Sequence, residues 1–203
     1  MLFRSDGEIA WDGFAAILEH LVAAGVDGIV VGGTTGEYYA HSTEERLESL
    51  RRAKDIVGTR AVTVGGTGAI RTEDSIELAT EVAGMGYDAL LVTTPPYAQP
   101  TPRENALHAL AVDRAANLPI ILYNYPGRMA AEMSEEYLDR VGRSPNFCAV
   151  KESSGDINRV HMLARDYPHI QLLCGMDDQA LEFFGYTRAE LLNQPAQIGR
   201  AHV

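Results

Sequence analysis

The sequence predicts an α/β fold in which parallel strands close into a (β/α)8 barrel, the TIM barrel. Short apolar runs alternate with helical patterns along the chain, and each run ends in a glycine- or proline-rich exit. Reactive side chains follow at least four of these runs. A barrel brings all C-terminal strand ends to one mouth, whereas a doubly wound open sheet gathers only those at its switch point. The barrel is therefore favoured over the doubly wound sheet.

Six apolar runs are predicted to be strands, because each is short, lacks polar alternation and is separated from the next by a helix. They span residues 26–31, 61–64, 88–94, 119–124, 147–150 and 170–174. Helical periodicity predicts helices over residues 11–24, 72–83, 102–116, 134–141, 157–165 and 179–184, and a further helix that begins at residue 42. Ser42 and Glu45 have capping-box spacing, and Pro102 suits the first turn of a helix.

Composition narrows the class of function. The chain has 203 residues, 46% of them hydrophobic, which is enough for one domain with a substantial core. A net charge of −11 argues against nucleic acid or an anionic membrane as a partner. Two cysteines and six scattered histidines indicate neither a disulfide framework nor a metal site. With no signal peptide and no membrane-spanning apolar run, the sequence predicts a cytoplasmic protein.

Lys151 is the residue around which the functional prediction is built. It follows the apolar run 147–150 and precedes a polar turn, so it is expected at the C-terminal end of an interior strand. Burial there would lower the pKa of the amine, and a neutral amine is a nucleophile towards ketones. The alternative is a lysine whose ammonium extends into solvent or pairs with an acid.

Tyr123 is expected to meet Lys151, because alternation along the two neighbouring strands places both side chains on the inner face. A phenol beside an imine-forming amine is suited to move protons. The alternative for Tyr123 is a core aromatic with a bonded hydroxyl. Glu152 falls on the opposite face of its strand, so it is not expected to be the base.

Two further features suggest anion binding. Residues 33–36, Gly-Thr-Thr-Gly, combine hydroxyls and backbone N–H groups ahead of a helix, which suits a carboxylate. Arg128 follows a Pro-Gly turn and could hold a second carboxylate through two parallel hydrogen bonds. The alternatives are an ordinary connecting turn and a solvated surface arginine.

Three motifs together resemble the dihydrodipicolinate synthase / N-acetylneuraminate lyase family, whose members are Schiff-base aldolases on a (β/α)8 barrel. The motifs are G-T-T-G-E at 33–37, Y-N-Y-P-G-R at 123–128 and V-K-E-S-S-G-D at 150–156. The resemblance extends from about residue 5 to residue 184. It implies that Lys151 forms a covalent imine with pyruvate, without a cofactor or metal, and that Tyr123 relays protons.

The resemblance also implies roles for other residues. Gly33, Thr34 and Thr35 would bind the pyruvate carboxylate or extend the proton relay. Tyr97 matches a tyrosine that reaches across a dimer interface into the neighbouring site. Arg128 matches the arginine that binds the carboxylate of the aldehyde substrate in the synthases. The implied partners are a keto acid, an aldehyde and further copies of the chain, as a homodimer or homotetramer.

Departures from the family pattern keep other functions open. The synthases usually carry two adjacent tyrosines where this chain has Pro96 and Tyr97, and Tyr38-Tyr39 replaces smaller residues. The favoured expectation is 4-hydroxy-tetrahydrodipicolinate synthase activity, with pyruvate and aspartate semialdehyde as substrates. A 2-keto-3-deoxy sugar-acid aldolase or dehydratase, or a neuraminate lyase-like enzyme, is the alternative. A non-catalytic barrel fragment joined to a sensor-like tail is the alternative from another class.

The ends of the sequence are expected to fall outside an intact barrel. Residues 1–184 are assigned to a partial barrel domain in which the first strand is reduced to 1–3 and the eighth is missing. Residues 185–195 resemble a fragment of a PAS sensor domain, and 197–203 resemble a translated sequencing adapter. The expectation is a truncated, chimeric reading frame whose second and seventh barrel strands are left as open sheet edges.

Overall fold

The fold is known from a computed structural model that describes residues 3–5, 7–183 and 185. Six parallel strands form one sheet in which sequential strands are neighbours, in the order β1 to β6. The strands are β1 (Gly28–Val31), β2 (Val62–Gly66), β3 (Ala89–Thr93), β4 (Ile120–Asn124), β5 (Phe147–Glu152) and β6 (Gln171–Cys174). The sheet is curled, and with its alternating helices it forms an incomplete (β/α)8 barrel, as the sequence predicts.

The helices of the described residues follow the strands in the predicted order. They are α1 (Trp11–Ala23), α2 (Thr43–Val57), α3 (Thr72–Gly84), α4 (Pro102–Ala116), α5 (Pro126–Met129), α6 (Glu135–Val141) and α7 (Ile157–Asp166). The 3₁₀ turns Tyr38–Ala40 and Asp177–Gln179 follow β1 and β6. Residues 180–183 are helical, where the sequence predicts a helix to begin.

Local signals explain most of the boundaries. Ser42 and Glu45 form the predicted capping box at the start of α2, and Pro102 lies in the first turn of α4. Asp156 caps α7 by accepting a hydrogen bond from the Asn158 N–H. Residues 126–129, predicted to be a turn, instead form the short helix α5, because proline is compatible with a first helical turn.

The two faces of the sheet differ in what covers them. One face packs against the helices and forms the main hydrophobic core, to which Leu90, Val92 and Leu122 contribute. The concave face carries a smaller cluster that includes Leu91 and Tyr123. Because side chains alternate along a strand, the odd positions of β3 and β4, and Ala149 and Lys151 of β5, point into the concave side. The candidate site lies at the C-terminal end of that side.

The two edge strands of the sheet and the ends of the described chain bear on the predicted domain limits. Within residues 7–183, β1 pairs with β2 alone and β6 with β5 alone, as expected for open sheet edges. Phe3 forms an isolated antiparallel bridge with Ile9. All of the proposed tail, residues 185–203, except residue 185 lies outside the described residues, so its assignment stays a prediction. Within the described residues, no helix is long and apolar enough to cross a membrane.

Candidate active site

Lys151 and Tyr123 lie side by side at the C-terminal end of the sheet. They are register partners on β5 and β4, so both side chains leave the sheet on the concave face. The Lys151 Nζ lies 4.5 Å from the centre of the Tyr123 ring. Tyr123 is buried and Lys151 is half-buried. The predicted meeting of amine and phenol is therefore confirmed.

The surroundings of Lys151 increase the fraction of its amine that is neutral. Burial lowers the pKa of the Lys151 amine, and the charge of Asp177, in the turn after β6, opposes that change. The lowering prevails because burial is the larger of the two effects. A lysine with a lowered pKa has a larger fraction of nucleophilic amine at neutral pH.

The Tyr123 phenol is surrounded by hydroxyls. Burial raises its pKa, while the Thr34 and Ser153 hydroxyls, which face the phenol, act in the opposite direction. Thr34 Oγ1 and Ser153 Oγ are themselves buried, and neither has a hydrogen-bond partner of normal geometry among the described residues. A neutral phenol flanked by two available hydroxyls can exchange protons and can also bind a ligand oxygen.

A buried polar network lies behind this pair, on the other face of the same strands. Glu152 is fully buried and accepts two hydrogen bonds from the Asn124 side-chain amide, at 3.0 and 2.9 Å. It also accepts from the Ser154 N–H at 2.7 Å and from Arg159 Nε at 3.2 Å. Glu152 thus has a structural setting, and the prediction that it faces away from Lys151 is confirmed.

The network extends into the helical layer through Arg159. Its guanidinium pairs with Glu132 at 2.7 Å and donates to the Met133 carbonyl at 2.8 Å. The Met133 N–H in turn donates to Asn124 Oδ1 at 3.0 Å. These bonds fasten the ends of β4 and β5 to the segment before α6 and to α7. The positions of Tyr123 and Lys151, each one residue from a network member, depend on them.

The loop after β1 only partly matches its prediction. Thr34 faces Tyr123, and Gly33 is buried in the same loop. Thr35 is exposed and lines a groove of about 200 Å³ beside β1, together with α1 residues such as Phe14 and Leu18. At the α2 N-terminus, the capping box already engages the Ser42 and Glu45 backbone N–H groups.

Arg128 and Tyr97 are both exposed, unlike Lys151 and Tyr123. Arg128 is exposed on α5, and its guanidinium lies 5.8 Å from the centre of the Tyr125 ring. Its charge reaches the mouth, since it lowers the pKa of both Tyr123 and Tyr38. Tyr97 is 86% exposed and has a left-handed backbone with φ 70°. An exposed aromatic ring held in that conformation is available to another molecule.

The structure also brings in residues that the sequence prediction left out. The mouth also contains Ser153, Asp177 and Thr93, and the Tyr38 side chain points into it. Alternation from Lys151 would have predicted Ser153, because it lies two residues further along. Asp177 begins the 3₁₀ turn Asp177–Gln179, which has no clear sequence signal. In the described residues, no group of three or more His, Cys, Asp or Glu could hold a metal ion.

The fold and these side chains define a barrel protein that presents a half-buried amine and a buried phenol at the ends of adjacent strands. The chain belongs to the dihydrodipicolinate synthetase family, whose model matches residues 1–187.

Individual relatives agree with this membership. A 4-hydroxy-tetrahydrodipicolinate synthase from Moorella thermoacetica is 38% identical over 176 residues, which cover 87% of this chain and 60% of the relative. One from Desulforudis audaxviator is 39% identical over 81% of this chain and 56% of its own length. The chain thus spans about 60% of the length of these curated relatives.

Solved structures show the same fold. A dihydrodipicolinate synthase crystal structure superimposes with a TM-score of 0.87 at 32% identity, covering 92% of this chain and 65% of that chain. The enzyme from Acinetobacter baumannii, whose structure contains pyruvate, gives a TM-score of 0.85 at 31% identity over 91% of this chain and 64% of its own.

Proposed function

We propose that the protein is a pyruvate-dependent Schiff-base lyase or synthase of the 4-hydroxy-tetrahydrodipicolinate synthase type, with pyruvate and aspartate semialdehyde as substrates. The observation that carries the proposal is the Lys151 amine, made more nucleophilic by burial and placed 4.5 Å from the Tyr123 ring. The relatives' names and the pyruvate complex of the Acinetobacter baumannii enzyme support the choice of substrate.

In the first step, the neutral Lys151 amine attacks the keto carbon of pyruvate. The nitrogen and carbon form a bond, and the keto oxygen leaves as water after gaining two protons. The protonated imine withdraws electrons from the pyruvate methyl group, so that a methyl proton can be lost to give an enamine. Because the imine itself is the electron sink, this chemistry needs no cofactor and no metal.

In the second step, the enamine carbon forms a bond to the aldehyde carbon. Tyr123 gives its own proton to the departing water in the first step and, as the phenolate, takes the methyl proton, and the Thr34 hydroxyl beside it completes a path for that proton. Gly33 and Thr35 belong to the same loop, which we assign to the pyruvate carboxylate. Arg128 is assigned to the carboxylate of the aldehyde substrate, since its exposed guanidinium can form two parallel bonds.

Tyr97 is assigned to the site of a neighbouring subunit in a homodimer or homotetramer. Its 86% exposure is unusual for a tyrosine, and the described chain leaves most of the apolar surface of the ring uncovered. A cytoplasmic location, where pyruvate is abundant, is part of the same proposal.

A second candidate function is favoured by one observation. Tyr38 is 7% exposed and points into the mouth, where the family pattern has a smaller residue. A changed mouth suits a different electrophile, such as that of a 2-keto-3-deoxy sugar-acid aldolase or a neuraminate lyase-like enzyme. A non-catalytic barrel fragment is the remaining candidate.

Turnover separates these candidates. The chain is incubated with pyruvate and aspartate semialdehyde, and product formation is followed; the reverse cleavage of 2-keto-3-deoxy sugar acids to pyruvate is measured in parallel. We expect condensation in the first assay, and none in Lys151→Arg, because a guanidinium stays protonated and cannot attack a ketone. Cleavage of a sugar acid alone would select the second candidate. Activity that survives in Lys151→Arg would remove the lysine from the mechanism.

A further inference from the structure

Tyr38 and Thr93 present two oxygens to one small space in the mouth. A Cβ atom placed on Gly68 would lie 3.1 Å from the Tyr38 hydroxyl oxygen and 2.9 Å from Thr93 Oγ1. Because glycine has no Cβ, both oxygens can approach the Gly68 Cα closely, and they therefore lie near each other. Tyr38 enters this space from the 3₁₀ turn after β1, whereas the adjacent Tyr39 stays 62% exposed.

Thr93 is available to bind a ligand. Its side chain is 5% exposed, and Thr93 Oγ1 has no hydrogen-bond partner in the part of the chain that the structure describes. A buried hydroxyl without a partner is costly unless a ligand supplies one. Thr93 is the register partner of Tyr123, which is the partner of Lys151, so the three side chains form one row across the concave face.

Arg46 holds Tyr38 and the loop that contains Gly68 in place. Its guanidinium donates to the Gly68 carbonyl at 2.9 Å and to the Gly66 carbonyl at 3.2 Å, and it lies 5.0 Å from the centre of the Tyr38 ring. The loop that contains Gly68 and the Tyr38 ring are therefore fixed by one side chain. Burial raises the pKa of Tyr38, so the phenol stays protonated at neutral pH and can donate a hydrogen bond.

We infer that Tyr38 and Thr93, the Tyr38–Thr93 pair, bind the carbonyl oxygen of the aldehyde during carbon–carbon bond formation. The inference rests on the proposed function. Neighbouring parallel strands are about 4.8 Å apart, so Thr93, two strands from Lys151, lies beyond a pyruvate bound to that lysine. The pair therefore faces the second substrate, not the first.

The assigned role follows from the charge that develops in the reaction. As the enamine carbon bonds to the aldehyde carbon, the carbonyl π electrons move to the aldehyde oxygen. Two neutral donors fixed in a buried site stabilise that developing negative charge. The oxygen then takes the proton that Tyr123 carries, which is the one lost by the pyruvate methyl group, so that protons balance. Tyr38 and Thr93 keep their own protons throughout.

The experiment compares single steps in Tyr38→Phe, Thr93→Val and the matched control Tyr39→Phe. Imine formation is measured by borohydride trapping with pyruvate, and enamine formation by deuterium exchange into the pyruvate methyl group. Condensation is measured with aspartate semialdehyde. We expect Tyr38→Phe and Thr93→Val to leave trapping and exchange within about twofold of the parent and to slow condensation about 10²-fold. Tyr39→Phe should match the parent in all three assays.

The outcomes separate this inference from the proposed function. Absence of trapping in the parent chain would overturn both. Trapping and exchange without condensation in the parent chain would overturn the inference together with the choice of aspartate semialdehyde as second substrate. Condensation that is unchanged in Tyr38→Phe and Thr93→Val would overturn the inference alone. Equal loss in all three assays would show that the Tyr38–Thr93 pair has a structural role, and would also overturn the inference. As a second variant, Gly68→Ala places a methyl group against both oxygens, which must then shift, and should slow condensation without reducing trapping.

Discussion

Removing the cation from the buried network is expected to destabilise the protein strongly. In Arg159→Leu, the Glu152 carboxylate stays fully buried but loses the guanidinium that lies 3.2 Å away. Breaking a buried ion pair on one side typically costs about 3–5 kcal/mol. Glu152 keeps its bonds to the Asn124 amide and the Ser154 N–H, so the lower end, about 3 kcal/mol, is expected.

The measurement is equilibrium unfolding by heat and by urea, with Arg165→Leu as the control. Arg165 lies on the same helix and also pairs with an acid, Asp166, but its side chain is 74% exposed. An exposed pair contributes about 0–1 kcal/mol. For a domain of this size, a loss of about 3 kcal/mol lowers the melting temperature by about 6–12 °C. The double variant Glu152→Gln/Arg159→Leu should regain at least half of the loss, since no charge is left buried.

Equal costs for Arg159→Leu and Arg165→Leu would refute this reasoning. So would a double variant that is no more stable than Arg159→Leu, because the loss would then come from packing and not from an unpaired charge. Imine trapping in the folded fraction of Arg159→Leu adds a functional measurement. We expect it to fall, because the network fastens the strand ends that carry Tyr123 and Lys151.

Two other predictions concern Tyr123 and Lys151 directly. Tyr123→Phe keeps the ring that packs beside the amine but removes the proton carrier, so turnover should fall by about 10²–10⁴; a fall below tenfold in steady-state rates would make the hydroxyl structural. Imine formation should rise with pH to a plateau reached below 10.5, the ordinary lysine pKa, because burial lowers the pKa of Lys151 and only its neutral form attacks. The folded state then binds fewer protons than the unfolded state between the lowered pKa and 10.5, so Lys151→Met should be more stable than the parent at neutral pH. The difference in unfolding free energy should shrink as pH rises through that window; a constant difference would contradict the assigned pKa direction.

Much of the fold could be predicted from local patterns. Apolar runs bounded by glycine and proline identified each of the six strands, and the Ser42 capping box and Pro102 fixed the starts of two helices. These signals are short-range, so they persist in a single sequence. The helix α5 was missed because Pro-Gly is equally compatible with a turn, and only the surrounding packing of Met129 decides between them.

The candidate site could be predicted only where alternation along a strand applies. Lys151 and Tyr123 met as predicted, because each lies within a strand and their registers match. Thr35 and Tyr38 follow β1 in a loop, where no period fixes the direction of a side chain. The Glu152–Arg159 pair joins a strand to the following helix, and its partner Asn124 lies 28 residues earlier. Such a network depends on tertiary packing, so no local pattern could reveal it.

The central claim is that Lys151 forms an imine with pyruvate, and the sequence provides an internal control because it contains just two lysines, Lys54 and Lys151. The Lys54 amine is engaged by the Thr63 hydroxyl at 2.9 Å and by Asp88 at 3.6 Å. The chain is incubated with pyruvate, reduced with borohydride, digested and mapped by mass spectrometry. The account predicts one reduced pyruvate per chain, attached to Lys151, with Lys54 unmodified. A folded chain that carries no adduct, or that carries it equally on both lysines, would contradict the claim.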